Sequence, residues 1–237
     1  MSTIFFLVKF FRREQYAVDF VNGKVFCNTL RSFKGDEASL DPWRADQNEG
    51  TTFWWQPGDA RVEINGMDIS DDLAEPLQVQ MAWLDEINLF CIHACHTGEL
   101  DMTKVSNENV ELLRRELLIP EECFRLGEYA VVIKDVSDFV ERMRTAAFSH
   151  GYRIARGLVK YYEPATFNGS FPGIEAAFWK QQQYSYQREF RFAIDTRSMS
   201  AGPLCLEVGN LSDIAMSLRV SDLNGPAFLG GSMSLGR

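Results

Sequence analysis

The stretch Phe178-Trp179-Lys180-Gln181-Gln182-Gln183-Tyr184-Ser185-Tyr186-Gln187-Arg188-Glu189-Phe190-Arg191-Phe192-Ala193-Ile194-Asp195 decides the fold, because an aromatic, Gln-rich run leads directly into strict alternation. From Tyr186 onward, a period of two sets Tyr186, Arg188, Phe190, Phe192 and Ile194 on one face and Gln187, Glu189, Arg191, Ala193 and Asp195 on the other. The first face belongs in a core. The second carries an amide, a carboxylate and a guanidinium in a row. It is expected either as a solvated or structurally paired sheet surface or as the wall of a polar cleft.

Other segments share the strand signature. Ile4 to Phe11 is short, apolar and rich in Phe, broken only by Lys9, whose ammonium has to snorkel to an edge or meet a carboxylate. Lys24 to Asn28, Thr51 to Trp55, Asn88 to Cys95, Glu128 to Lys134, Arg153 to Tyr162, Leu204 to Val208 and Ile214 to Val220 also read as strands. Ala60 to Ile64 and Met67 to Ser70 flank Asn65-Gly66, the signature of a tight hairpin. Alternation in Leu77 to Leu84 favours a further strand. Helical spacing is found in Glu14 to Val21, Asn107 to Leu118 and Ser137 to Phe148, with Asn107 and Ser137 as expected N-caps, and in Gly173 to Gln182. Many strands, few helices and hairpin-length connections predict an α+β fold: a single domain over residues 1–223 with a mostly antiparallel mixed sheet and a few flanking helices. The Gly/Ser-rich segment 224–237 reads as a tail.

Composition narrows the function. With 237 residues, 46% of them hydrophobic, the chain can bury one substantial core, and it has no apolar run of the roughly 20 residues that cross a bilayer. The expected location is the cytoplasm, with no membrane partner. A net charge of -9 argues against tracking a nucleic-acid backbone, which needs a basic stripe. Five cysteines, an odd number in mainly apolar surroundings, fit reduced core thiols better than a disulfide frame. Cys91, His93 and Cys95 share a face if their segment is a strand. No second Cys or His pair completes a zinc site, so no metal is assigned. The Gly-rich phosphate loop, the dinucleotide-binding glycine pattern and the hydrolase elbow are all missing.

Charged residues inside or beside apolar strands define the candidate site. Lys9, Arg44, Asp46, Glu49, Glu189 and Arg191 are expected to converge, with Lys180 and Tyr184 as further ligand-binding candidates. The same residues could instead clamp the long loop, residues 31–50, onto the sheet.

Two resemblances bear on function. Gln187-x-Glu189 on a strand resembles the Gln/Glu-x-Glu signature of ADP-ribosyltransferases. That likeness implies NAD as cofactor, with Glu189 stabilising a cationic sugar, Gln187 orienting the acceptor and Lys9 holding the pyrophosphate where that family carries Arg or His. At chain scale, a second likeness rests on Val8-Lys9-Phe10, Thr29-Leu30-Arg31-Ser32-Phe33, Arg44-x-Asp46-x-x-Glu49-Gly50, Val159-Lys160-Tyr161, Phe178-x-Lys180 with Tyr184, Gln187-x-Glu189-x-Arg191 and Gly209-Asn210-Leu211-Ser212-Asp213-Ile214. This layout resembles a family of uncharacterised bacterial proteins found near mobile elements or defence genes, which implies one α+β domain. Two classes of function therefore stay open. One is a non-catalytic binding or sensor component with a protein partner, for which Trp54, Trp55 and the tail offer a contact surface unless, as is commoner, both tryptophans pack in the core; the other is an NAD-dependent enzyme using Glu189 and Gln187.

Overall fold

The computed structural model describes residues 2–35, 45–98, 100 and 106–225. Arg44 and residues 226–237 of the expected tail lie outside them. β1 (Ile4–Phe11) leads through α1 (Glu14–Val21) to β2 (Lys24–Thr29) and the short α2 (Leu30–Lys34). After the loop come β3 (Thr51–Trp55), the hairpin β4 (Glu63–Ile64) and β5 (Met67–Asp68), then β6 (Leu77–Gln80) and β7 (Asn88–His96). α3 (Asn107–Leu117), β8 (Tyr129–Ile133), α4 (Val136–Ser149), β9 (Arg153–Leu158), β10 (Lys160–Tyr162), β11 (Gly169–Ser170) and β12 (Trp179–Gln181) follow. The described chain ends with β13 (Glu189–Asp195), β14 (Leu204–Glu207) and β15 (Ala215–Arg219).

The architecture is α+β, and among the described residues every strand pair except β10 with β12 is antiparallel. The main sheet runs β14-β2-β7-β1-β8-β15, with β13 joined to β7 and β9 beyond β13. One face is mainly apolar, although Lys9 lies on it. Leu7, Phe90, Ile92, Val131, Phe190, Phe192 and Ile194 meet Phe20 of α1 and Phe139, Val140 and Met143 of α4. Burying a large apolar side chain contributes about 1.5–3 kcal/mol, so this layer accounts for much of the stability.

The opposite face is divided. Val8, Phe10, Cys95 and Val132 pack with Ile119 and Cys123 at one end. At the other end, Leu89 and Ala193 pack under Leu30, Trp54, Leu84 and Phe171. Between the two patches lie Cys91 opposite Arg191 and His93 opposite Glu189.

Several local expectations change. Gly173 to Gln182 does not form one helix; the segment is a 3-10 turn over Gly173–Phe178, then β12, then a second 3-10 turn over Gln182–Gln187. Arg188 follows in the left-handed region, φ 42°, so alternation begins at Glu189 and the expected grouping of Tyr186 and Arg188 with Phe190 does not hold. That conformation costs about 1–2 kcal/mol for a residue with a Cβ. It is held by the Arg188 guanidinium, which donates to the Glu116 and His96 carbonyls, each at 2.8 Å, and pairs with the Glu116 carboxylate.

The N-caps are Ser106 and Asp135, each one or two positions before the expected residue, because their oxygens accept the Asn109 and Asp138 amides. Leu77 to Leu84 keeps strand geometry only to Gln80, and Arg153 to Tyr162 divides at Val159 between two sheets. Asn65-Gly66 does turn the β4–β5 hairpin, both residues having positive φ. Gly23 is required where α1 meets the 209 turn, since a Cβ there would sit 2.2 Å from the Gly209 carbonyl oxygen.

Candidate functional site

β7 has neighbours on both edges, and the two edges differ. β13 runs alongside it from Asn88 to His93. On the other edge β1 pairs with β7 only as far as Val8 opposite His93, and β2 pairs only at Asn28 opposite Leu89 and Thr29 opposite Asn88. Beyond Val8, β1 stays with β8, Lys9 opposite Val131 and Phe11 opposite Tyr129. The sheet therefore splits beside residues 90–92, and α1 bridges the split on the core face.

A cavity of about 610 Å³ occupies the opening. Phe10, Phe20 and Phe90 wall it, Asn28 and Phe33 face it from β2 and α2, and Lys180, Gln187 and Glu189 close its polar side. Lys9 settles the question its sequence position raised: the ammonium enters the split and donates to the Cys91 carbonyl at 2.5 Å, 4.6 Å from the centre of the Phe90 ring. A backbone acceptor that loses its ladder partner is thus satisfied by a side chain.

Behind the cavity is an ion-pair cluster. Arg191, fully buried, makes a two-pronged contact with the Glu49 carboxylate and donates from Nε to Glu189 Oε2 at 2.7 Å and from Nη1 to the Ala177 carbonyl at 2.6 Å. Lys180 Nζ donates to Gln187 Oε1 at 2.8 Å and Glu189 Oε1 at 3.3 Å, and lies 3.7 Å from Glu49. Two carboxylates thus balance two cations. Burial would raise the Glu189 carboxyl, but Arg191 and Lys180 overcome it and bring it down to about 2. Burial alone would lower the Lys180 ammonium, and Glu189 and Glu49 instead raise it.

Asp46 is the odd carboxylate. It is 2% exposed, Oδ1 accepts the Asn48 amide at 2.9 Å, and Oδ2 has no hydrogen-bond partner among the described residues. Burial, reinforced by the Glu49 charge, pushes its pKa up to about 6. The Tyr184 hydroxyl donates to the Ala45 carbonyl at 3.1 Å, fixing the end of the same loop, and its ring lies 4.7 Å from Lys180 Nζ.

The structure therefore divides the residues expected to form one cleft. Glu49 and Arg191, with Glu189 and Lys180, form the clamp between loop and sheet, and Asp46 is buried beside it with its carboxylate bonded to the Asn48 amide of its own loop. Lys9, Lys180, Gln187 and Glu189 line the cavity. Gln187 and Glu189 do not share a strand face, because the left-handed Arg188 stands between a 3-10 turn and β13.

Trp54 is not a contact surface. It is 6% exposed, packs on Tyr162 and donates to the Pro164 carbonyl at 3.0 Å, while Trp55 is half-buried beside Phe53. Among the described residues no group of three or more His, Cys, Asp or Glu side chains is placed to hold a metal ion. Sequence reasoning weighed His93 as a metal ligand and as one of three histidines available as a base, and the structure places it in the cavity lining. Asn28 and Phe33 were missed, and alternation in β2, with Phe26 and Asn28 on one face, was the only available signal. Comparison with protein-family models, with curated proteins and with solved structures finds no match.

Proposed function

We propose that the chain is a non-catalytic binding or sensor module that takes a small molecule into the split between β1 and β2. The cavity of about 610 Å³ carries this reading, being of the size that encloses small ligands and combining an apolar body with a few convergent polar groups. The clamp supports it from the other side. Glu189 accepts hydrogen bonds from Arg191 and Lys180, and Gln187 accepts one from Lys180, so the groups an enzyme would use are engaged by the protein itself. The defence-type setting rests on the family resemblance alone.

The alternative, an NAD-dependent ADP-ribosyltransferase-like enzyme, is favoured by one observation, that Gln187 and Glu189 both line the cavity. Thermal denaturation against a metabolite library that includes NAD, with nicotinamide release measured in parallel, separates the two. A binding module is stabilised by a molecule it leaves unchanged, since a ligand of the folded state raises the melting temperature by mass action. Nicotinamide release that falls about 100-fold or more in Glu189→Gln would transfer the site to the enzyme class.

A further inference from the structure

The charges that line the cavity are already engaged within the protein. Lys24 pairs with Asp19 at 3.5 Å, Lys180 and Glu189 are joined at 3.3 Å within the clamp, Lys9 is held by the Cys91 carbonyl, and Arg12 is engaged as well. A charged ligand would therefore give up its water with no opposite charge waiting for it, which is unfavourable.

Asn28 differs from these residues. Its backbone is paired with Leu89 in the ladder, and its half-buried side chain, on the face it shares with Phe26, lines the cavity without a hydrogen-bond partner among the described residues. A carboxamide offers N–H donors and an oxygen acceptor side by side. The lining that stays open is rich in aromatic rings: Phe11 and Phe33 are half-buried, and Tyr16 and Phe26 are 51% and 58% exposed. Such surfaces suit a flat ring.

Resting on the reading of the cavity as a small-molecule site, we propose that its ligand is an uncharged aromatic molecule whose amide-type N–H and C=O pair with the Asn28 carboxamide.

Calorimetry on the whole chain with three probes of one ring system tests this: naphthalene-2-carboxamide carries the amide, naphthalene-2-carboxylate replaces it by a charge, and 2-methylnaphthalene replaces it by a methyl group. The carboxamide is expected to bind at least about tenfold more tightly than either of the others, the loss of a hydrogen-bonded pair or the desolvation of an uncompensated charge being worth about that factor. Asn28→Leu keeps the approximate shape of the side chain without its polar atoms, so the preference for carboxamide over methyl should vanish. That change strands no partner among the described residues, because the Asn28 side chain has none to lose.

Nitrogen-15 NMR of the wild type supplies a measurement independent of the variant. The Asn28 side-chain N–H signals should move downfield on addition of the carboxamide, as a new hydrogen bond requires. Signals that do not move so, a carboxylate that binds as tightly as the carboxamide, a preference that survives in Asn28→Leu, or no binding of the carboxamide each overturns the proposal. A library ligand outside this class would overturn it and leave the cavity reading standing, whereas no ligand from either set removes both.

Discussion

The clamp and the split lie side by side along β7 and handle buried polarity in opposite ways. In the clamp, Glu49, Glu189, Arg191 and Lys180 saturate one another, and the loop they hold is fixed to β13. In the split, Lys9 reaches a strand carbonyl across an opening and His93 keeps an acceptor in hand. The first arrangement specifies structure, because removing any member leaves an uncompensated charge. The second leaves a buried atom, His93 Nε2, without a hydrogen-bond partner among the described residues. Glu189 and Lys180 belong to both, so the two arrangements share a wall.

The largest expected effect tests the clamp. Arg191→Leu strands Glu49 and Glu189 without their shared guanidinium and should cost about 3–5 kcal/mol in urea denaturation. The double variant Arg191→Leu with Glu49→Leu should recover part of that loss. A cost under about 1 kcal/mol would mean that the cluster does not hold the loop, and the contrast with the split would collapse.

A somewhat smaller effect comes from Asp46. Its folded pKa, about 6, lies above the ordinary 3.8, so the folded protein binds that proton more tightly. The resulting stability is fully present below about pH 4 and is lost as pH rises through 6. Asp46→Asn is neutral throughout, and Asn keeps an oxygen for the Asn48 amide. Relative to wild type, the variant should gain about 2–3 kcal/mol between pH 4 and pH 7.5, at about 1.4 kcal/mol per pKa unit. Contributions from Glu189 and His93, whose folded pKa values are depressed and which therefore lose stability on acidification, cancel in that difference. A flat difference would place Asp46 outside the electrostatics of the clamp.

Lys9→Met should have the smallest effect, within about 1 kcal/mol in the same denaturation assay, because water entering the cavity can satisfy the Cys91 carbonyl. A loss as large as that of Arg191→Leu would make the split a structural device like its neighbour.

Legibility in the sequence followed the range of the interactions. Ile4 to Phe11, Asn88 to Cys95 and the Asn65-Gly66 hairpin were readable because period and turn chemistry act over a few residues. Lys9, Glu49 and Arg191 stood out as charges in apolar company, which marks a buried polar group without naming its partner. The 3-10 turns around β12 are too short to show a period. The left-handed Arg188 is set by carbonyls at Glu116 and His96, far away in sequence. The split depends on where two ladders stop on β7, and His93 gains its character from a carbonyl 94 positions away. Neither leaves a local trace.

The placement of β7 also governs the order in which the molecule can assemble. Its three neighbours come from residues 4–8, 28–29 and 189–194, so the first strand waits for about ninety residues before it finds its ladder, and β7 then waits as long again for β13. Loop closure on that scale slows folding. A nascent chain that has reached α4 holds Lys9 and Cys91 but not Lys180, Gln187 or Glu189, so one side of the cavity is written and the other is still to be synthesised. The lining of the cavity is therefore complete only once Glu189 and Cys205 have been added.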